Sequence, residues 1–404
     1  MSFTDGARWQ PLQMNLPRVS VRDLVIKDND LIAATHGRSI WILDDIAPLR
    51  QMADSVRAAA VHLVAPSVAM RLETGRSGRR DPESGENPFP GVNVDYWLRT
   101  APKEGGQVKL EFVDGRGAVV RTFTSEGDAS AKRDSVHVAY SASDSLKRLS
   151  AYDTTGQSSQ RRRVEGDSLA YLPSDSVVHA RAGLNRFVWD LRAPGVRPLK
   201  DVINDEGTTN GPVVVPGEYT VRLTADGVTR SQRFRVVDDP RMGATPEQLA
   251  AGYAFNTEVI AKLNQLGDEV RHIETMQRQI TEREAAAKGS PAAARVSAAA
   301  RPLRAQLEAV RASLADVHSQ ADQITLHYPV RPYNQLLNVN RMAQSYERGP
   351  TEQGRTVFRD LAAQVDASLA RLHALEAGDV SAFNRMLEEL KVPAVAVEVQ
   401  KPIG

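Results

Sequence analysis

The residues of this sequence with the clearest chemical potential are one histidine, one arginine and two carboxylates in a short N-terminal stretch. His36 and Arg38 flank Gly37, and Asp44 and Asp45 follow an apolar run. Two carboxylates across a sugar-sized cleft are what a retaining or inverting glycosidase needs. The structural alternative is that Gly37 forms a bulge or turn and that the polar groups cap strand ends. The sequence favours this alternative, so the four residues are candidates and no catalytic residue is assigned.

Three consecutive strands are the elements that must position these candidates. Alternating apolar residues predict strands at 21–28, 31–38 and 39–45, with a hairpin turn at Asp28–Asp30. The carboxylates available in this stretch are Asp23, Asp28, Asp30, Asp44 and Asp45. No pattern pairs any two of them across a cleft.

Other catalytic and cofactor motifs are missing from the sequence. There are no cysteines, which excludes disulfides, thiolate metal sites and cysteine nucleophiles. The histidines are scattered without H-x-H or H-x-x-x-H spacing, and G-x-S-x-G is absent. The run at 114–117 is a hairpin turn and not a phosphate-binding loop, because a third glycine and a following helix are missing. The sequence predicts neither a bound metal nor a cofactor.

The segment Ser2–Trp9 resembles the Asp-box, S-x-D-x-G-x-T-W, which marks blade hairpins in sialidase-like and sortilin-like β-propellers. Thr4 and Arg8 depart from the pattern. The positions that carry it are Ser2, Asp5, Gly6 and Trp9. In that family the element is structural, with a turn at Asp5 and Gly6 and the tryptophan packed between neighbouring sheets. Together with 21–45, the segment is similar to the final blade of bacterial proteins labelled glycosyl hydrolase or sortilin-like.

This resemblance implies a fragment of a larger exported protein. Residues 1–50 supply about one and a half blades, whereas a propeller needs at least about four. Met1 is therefore expected not to be the native start. The expected partners are the missing blades of the parent chain and a carbohydrate or peptide ligand. The parent is expected in the periplasm or outside the cell, although no signal peptide is visible.

The composition is that of an ordinary globular chain with several domains. Of its 404 residues, 41% are hydrophobic and 25% are charged, and the formal net charge is +1. Nothing in this balance attracts nucleic acid or an anionic membrane. No apolar run of about 18 residues indicates a transmembrane helix. Residues 51–90 are interpreted as a crossing segment with short strand candidates at 61–66 and 68–72, and its part at 74–90 is a linker rich in glycine, proline, serine and charge.

A second module is predicted at 91–241. Alternation predicts strands at 94–98, 107–113 and 118–123, followed by a polar insertion near 124–182. The runs at 183–192 and 216–224 resemble the flagellar-hook-capping type of Ig-like domain, with its G-x-N, W-D and P-G-x-Y elements. The side chains expected to fill the core between two sheets are Phe187, Trp189, Tyr219 and Leu223.

The C-terminal part is predicted to be an antiparallel helical bundle at 245–391, able to fold without the rest. Thr245 and Gln248 form a capping box at its start. A break at Gly289–Pro291 precedes a second helix, whose heptad seam extends from Leu303 to Ile324. Helices at 333–348 and 352–375 follow. Gly378 then ends the helix, Asp379 caps a short last one, and 392–404 is an extended tail.

The predicted fold class is a multidomain β + α chain with partial β-propeller blades, an Ig-like β-sandwich and a C-terminal antiparallel helical bundle. The function remains open between three alternatives, since a fold does not fix a function. The first is a non-catalytic accessory region that packs on a propeller. The second is a fragment of a propeller glycoside hydrolase whose active site lies in other blades. The third is a sortilin-like peptide-binding protein. The chain alone is expected to hydrolyse no glycoside.

Overall fold

The computed structural model describes residues 1–72, 91–103, 106–125, 177–200, 202–204, 207–317, 328–345 and 349–397. They divide into two compact units. The first contains the described residues up to Ala193 and the segment Val213–Gly243, and most of its elements are strands. The second contains Pro194–Pro212 and the described residues from Ala244 onward, and its elements are helices. The mixed β + α class is confirmed. The predicted linker at 74–90 and most of the predicted insertion near 124–182 lie outside the described residues.

The N-terminal strands form a three-stranded antiparallel sheet, called the meander below. They are β1 (Val21–Lys27), β2 (Asp30–Thr35) and β3 (Ile40–Leu43), and they pair in that order. Asp28 has a φ of 55° in the first turn, and Gly37 has a φ of 73° in the second. The three strands and both turns are therefore confirmed, although β2 ends at Thr35 and not at 38, and β3 ends at Leu43 and not at 45.

The segment after the meander is more regular than its sequence predicts. It contains two short helices, α1 (Ala47–Gln51) and α2 (Asp54–Ala58), followed by β4 (Val61–Leu63) and β5 (Ala69–Arg71). Each helix has 5 residues, which is too short to display a helical apolar period. That is why the sequence does not predict the two helices, whereas its short strand candidates at 61–66 and 68–72 are confirmed as β4 and β5.

The remaining strands complete two sheets in the first unit. These strands are β6 (Val92–Leu98), β7 (Lys109–Val113), β8 (Val119–Thr124), β9 (Gly183–Trp189), β10 (Gly217–Ala225) and β11 (Val228–Asp238). One sheet has the order β5-β11-β10-β7-β8, and the other has the order β4-β6-β9. Phe112 from the first sheet stacks on Trp189 from the second, with ring centroids 4.2 Å apart. The two sheets therefore pack face to face around an aromatic core.

The side chains predicted for this core are buried. Trp189, Phe187 and Leu223 are 0% exposed, and Tyr219 is 5% exposed. Their alternation along β9 and β10 places every second side chain on the inner face of its sheet. The core prediction is confirmed.

The helical unit begins at a capping box. Its helices are α3 (Pro246–Ala287), α4 (Ala293–Leu314), α5 (Pro332–Gln344), α6 (Glu352–Leu375) and α7 (Ser381–Glu389). Thr245 Oγ1 accepts a hydrogen bond from Gln248 N at 3.3 Å, and Gln248 Oε1 accepts one from Thr245 N at 2.9 Å. The predicted start of the first long helix and the break after it are confirmed.

Two predicted helix ends are wrong. The heptad seam was expected to continue to Ile324, but α4 ends at Leu314 and Val317 is not helical; Ile324 itself lies outside the described residues. Asp379 does not cap a separate helix, because the backbone continues from α6 through a π-helical turn at Glu376–Val380 into α7. Val380 in that turn is 0% exposed, so its burial favours a continuous helix over the stop expected at Gly378.

The segment Pro194–Pro212 belongs to the helical unit, although its sequence position is inside the predicted Ig-like module. Val196 and Leu199 from this segment are part of the helical core, each 6% exposed. A boundary between 241 and 245 therefore does not separate the units completely. A fragment that starts at Thr245, expected to fold on its own, lacks these two core side chains.

Candidate functional site

The structure separates the four candidate residues into two pairs. His36 and Arg38 are exposed in the turn between β2 and β3. Asp44 and Asp45 follow the end of β3, where Asp45 N donates a hydrogen bond to Asp30 Oδ1 at 2.9 Å. Because β2 and β3 are antiparallel, the turn and the two aspartates lie at opposite ends of the hairpin. The histidine and the arginine are therefore not beside the carboxylates.

The Asp45 carboxylate stabilises the loop that leaves the meander. Its Oδ1 accepts hydrogen bonds from Ser67 Oγ at 2.9 Å and from Ala47 N at 3.3 Å. Ser67 Oγ in turn accepts one from Asn29 Nδ2 at 3.0 Å. Asp45 thus connects the end of β3, the start of α1 and the turn before β2, which agrees with the structural interpretation of this residue.

Asp44 is in a different electrostatic environment. Burial raises the pKa of this carboxyl above its ordinary value of 3.8, and the nearby Asp30 and Asp45 raise it further, while Arg186 lowers it. A raised pKa is a property of carboxyl groups that act as general acids. In Asp44 it results from partial burial beside two like charges.

Arg186 and Asp95 form the strongest polar contact near these aspartates. They are cross-strand partners on β9 and β6. Arg186 Nε donates to Asp95 Oδ1 at 2.9 Å, and its Nη2 donates to Asp95 Oδ2 at 3.0 Å. The Asp95 side chain is 4% exposed and that of Arg186 is 43% exposed. Burial raises the pKa of Asp95, and the hydrogen bonds from Arg186 oppose that shift.

Together these groups form an acidic cluster around one guanidinium. Arg186 interacts electrostatically with Asp95, Asp45 and Asp44, and Asp30 interacts with Asp44. Such a cluster accepts hydrogen bonds or a positive charge from a ligand. Within the part of the chain that the structure describes, no group of three or more histidine, cysteine, aspartate or glutamate side chains is arranged to hold a metal ion.

The aromatic side chain of Trp97 lies on the same outer face of the β4-β6-β9 sheet as Asp95 and Arg186. Trp97 is half-buried, and its cross-strand neighbours are His62 on β4 and Leu184 on β9. Trp97 Nε1 is buried and makes no hydrogen bond to the described residues. Burial lowers the pKa of His62, and so does the positive charge of Arg230.

Sequence reasoning missed Asp95, Trp97 and Arg186 as candidates. Their strands were predicted, and the alternation of Val94, Tyr96 and Leu98 already placed Asp95 and Trp97 on the opposite face. What the sequence did not show was the register between β6 and β9, which joins residues far apart in the chain. Trp189 is fully buried and belongs to the core, so it offers no surface for a sugar.

The Asp-box segment forms a compact turn at the N-terminus. Ser2 Oγ accepts a hydrogen bond from Gly6 N at 2.9 Å, and Asp5 and Gly6 have φ values of 46° and 91°. The expected turn is therefore present. The expected position of Trp9 between two sheets is not, because its side chain is 76% exposed and none of the described strands covers it.

Comparison of the chain with protein-family models, with curated proteins and with solved structures finds no match. Among the described residues, every helix is too short or too polar to cross a bilayer.

Proposed function

We propose that this chain is a non-catalytic accessory region that packs against the blades of an Asp-box β-propeller, in an exported protein of the sortilin-like or sialidase-like kind. The observation that carries the proposal is an uncovered apolar face on the N-terminal meander. This face, called the meander patch, consists of Val25, Ile32, Ala34, Ile40 and Ile42.

Strand register makes the meander patch contiguous. Val25 pairs with Ile32 and Ile32 pairs with Ile42, while Ala34 pairs with Ile40 in the next row on the same face. Val25 is 47% exposed, Ile42 is 56% exposed and Ile40 is 67% exposed. A contiguous exposed apolar patch marks an interaction surface. Its chemistry fits the apolar face of a neighbouring sheet.

The edges of the meander favour a sheet-like partner in the same way. Within the described residues, β1 and β3 each pair with β2 alone, so each leaves one row of backbone groups open to another strand. In a propeller, blades follow one another around a central channel and protect these edges. The exposed Trp9 fits the same arrangement, since in the Asp-box family this position packs between sheets.

The polar groups support a binding or structural role over catalysis. The Asp45 carboxylate accepts hydrogen bonds from Ser67 and Ala47, and the Asp95 carboxylate accepts two from Arg186. Both groups therefore already have structural partners. Glycoside cleavage needs an acid and a second carboxylate held about 5–10 Å apart across a formed cleft. Asp44 and Asp45 are sequence neighbours on one loop and do not face each other across such a cleft.

One observation favours the glycoside hydrolase alternative. The pKa of Asp44 is raised, as the general acid of a glycosidase requires. Under this alternative, Asp44 is the acid and its partner carboxylate comes from another blade. The half-buried Trp97 beside Arg186 is then a candidate contact for the sugar, because aromatic faces and charged hydrogen-bonding groups together suit a carbohydrate.

The accessory role is tested by the properties of the meander patch. Ile40→Thr combined with Ile42→Thr is expected to reduce binding of a fluorescent hydrophobic dye and concentration-dependent self-association, with the melting temperature unchanged. Val119→Thr, at a position that is 50% exposed on β8, is the matched control and is expected to change neither. Equal dye binding and association in all three proteins would refute a docking role for the patch.

Activity separates the two alternatives. The purified chain is expected to release no product from a panel of aryl glycosides. Turnover that disappears in Asp44→Asn would instead establish the hydrolase alternative.

A further inference from the structure

The segment Pro194–Pro212, called the strap below, lies along α3 and α5 within the helical unit. Val196 and Leu199 anchor it, because their side chains are part of the helical core. Arg197 Nη2 adds an ion pair with Asp268 Oδ2 on α3 at 2.6 Å. The strap has no regular secondary structure of its own among its described residues.

Side chains of the helices bind the first half of the strap through its backbone. Asn264 Oδ1 accepts a hydrogen bond from Arg197 N at 2.8 Å, and Asn264 Nδ2 donates one to Gly195 O at 3.3 Å. Tyr333 Oη accepts one from Leu199 N at 3.1 Å. The contacted residues are two positions apart, which is the repeat of an extended chain that presents one edge to its partner.

The second half of the strap is bound in the same way. Asn340 Nδ2 donates to Thr208 O at 2.9 Å and to Asn210 O at 3.2 Å, and Gln344 Nε2 donates to Asn210 O at 2.9 Å. These acceptors are main-chain carbonyls. The contacts therefore recognise an extended polypeptide and depend little on its side chains, as in strand-addition modes of peptide recognition.

One position of the strap does discriminate between side chains. A Cβ atom on Gly207 would lie 2.4 Å from Leu337 Cβ and 2.7 Å from the carbonyl carbon of Leu337. The next residue, Thr208, donates its N–H to Leu337 O at 3.2 Å. The backbone of the strap thus touches α5 at this point, and only glycine fits there.

The buried amides of Asn334 and Asn340 on α5 need hydrogen-bond acceptors, which the strap backbone provides. Asn340 is 0% exposed and Asn334 is 7% exposed; the amide of Asn334 donates to Ile203 O at 2.7 Å. Buried amides without partners are costly. The strap supplies carbonyl oxygens to both, and any other extended chain with the same spacing supplies them equally well.

We propose that Asn264, Tyr333, Asn334, Asn340 and Gln344 form a peptide-binding site, the strap site, which the chain fills with its own strap. Its ligand class is an extended peptide that carries two apolar residues three positions apart, followed by a glycine that contacts Leu337. This function is separate from the meander patch and does not depend on a propeller partner.

The test uses the full chain and a fluorescent synthetic peptide with the sequence of residues 194–212. In the wild-type chain the tethered strap is present at an effective concentration on the order of millimolar, so the peptide is expected to bind weakly. Gly207→Ala in the chain is expected to displace its own strap, because the added Cβ would clash with Leu337, and to leave the strap site intact. Peptide affinity measured by anisotropy is then expected to rise by at least about tenfold.

Two further variants identify the site. Asn340→Ala added to Gly207→Ala is expected to lower peptide affinity by about tenfold. Asn338→Ala in the same background is the matched control, since Asn338 is an asparagine of the same helix whose side chain bonds to Arg341; it is expected to leave affinity unchanged. A peptide with alanine in place of its Leu337-contacting glycine is expected not to bind.

Folding is controlled by circular dichroism of each variant. If Gly207→Ala loses its helical signal, the binding test is replaced by hydrogen exchange in the wild-type chain. Excess peptide is then expected to accelerate exchange of the Arg197, Leu199 and Thr208 amides. The proposal is overturned if folded Gly207→Ala binds no peptide, if Asn340→Ala has no effect on binding, or if excess peptide leaves exchange of the strap unchanged.

Discussion

Arg186 holds Asp95 through two parallel hydrogen bonds of 2.9 and 3.0 Å between neighbouring strands. The carboxylate is on the buried side of this contact, with its side chain only 4% exposed. Burial of an ionised carboxylate is unfavourable unless its oxygens are hydrogen-bonded. Arg186 therefore stabilises the charged form of Asp95 on the outer face of β6, close to Asp44 and Asp45, and connects β6 to β9.

We expect Arg186→Met to lower the free energy of unfolding by about 1–3 kcal/mol, because Asp95 is left without its charged donor. Replacing both residues, as Asp95→Leu with Arg186→Met, is expected to recover most of the loss. Arg235→Met is the control, since the Arg235–Glu218 pair is 3.9 Å long and its side chains are 67% and 65% exposed. Chemical denaturation at neutral pH measures all three. Wild-type stability in Arg186→Met would show that the pair is not structural.

The aromatic core gives a second prediction. Trp189 is fully buried, stacks on Phe112 and donates its Nε1–H to Arg192 O at 3.0 Å. Trp189→Ala is expected to destabilise the chain by roughly 3–5 kcal/mol. Trp9→Ala, at a position that is 76% exposed, is expected to change stability by less than about 0.5 kcal/mol. Unchanged stability of Trp189→Ala, with loss of carbohydrate binding, would contradict the core assignment.

The lowered pKa of Asp239 predicts that part of the stability of the first unit is lost in acid. Hydrogen bonds from the Arg241 side chain and then its backbone lower the pKa of Asp239 from 3.8 to about 2. Because the pKa of Asp239 is lower in the folded chain than in the unfolded chain, its pairing with Arg241 stabilises the fold fully above pH 3.8. This stabilisation is lost as the pH falls through about 2. Asp239→Asn is therefore expected to lower the melting temperature at pH 6, with the difference from wild type disappearing near pH 2. A difference that is constant over this range would exclude the ion pair as its cause.

Local signals account for the elements that the sequence predicted. Alternation identified β1 to β3 and the strands of the aromatic core, and the capping box at Thr245 located the start of α3 to the residue. Each of these signals is contained within a few neighbouring positions. The π-helical turn at Glu376–Val380 has no such signal, since Gly378 and Asp379 indicate a stop and only the burial of Val380 opposes it.

The candidate site was less predictable because its contacts are not local. His36 and Asp44 are close in sequence, yet a hairpin places them at opposite ends. Asp95 and Arg186 are 91 positions apart in sequence and meet only through strand pairing. The strap has a similar origin, since nothing within 194–212 indicates that amides of α3 and α5 bind it. The propeller and Ig-like resemblances remain predictions.

Asp44 and Asp45 are adjacent in sequence, but we expect opposite effects on stability when they are replaced. Burial and the charges of Asp30 and Asp45 raise the pKa of Asp44 above 3.8. The folded chain therefore binds this proton more tightly than the unfolded chain, and stability falls as the pH rises from 3.8 through the folded-state pKa. At pH 7 the charged form is disfavoured, and Asp44→Asn is expected to raise the melting temperature.

At pH 3, below the pKa of both states, the carboxyl of Asp44 is mostly protonated in both, so most of the gain from Asp44→Asn is expected to disappear. Asp45→Ala removes the acceptor of Ser67 Oγ and Ala47 N, and its expected cost at pH 7 is about 1–3 kcal/mol. Thermal melts of wild type and both variants at pH 3, 5 and 7 measure these effects. If Asp44→Asn were less stable than wild type at pH 7, the attraction of Arg186 for the Asp44 carboxylate would outweigh burial and the repulsion from Asp30 and Asp45. The acidic cluster around Arg186 would then be a network of favourable contacts instead of an excess of negative charge.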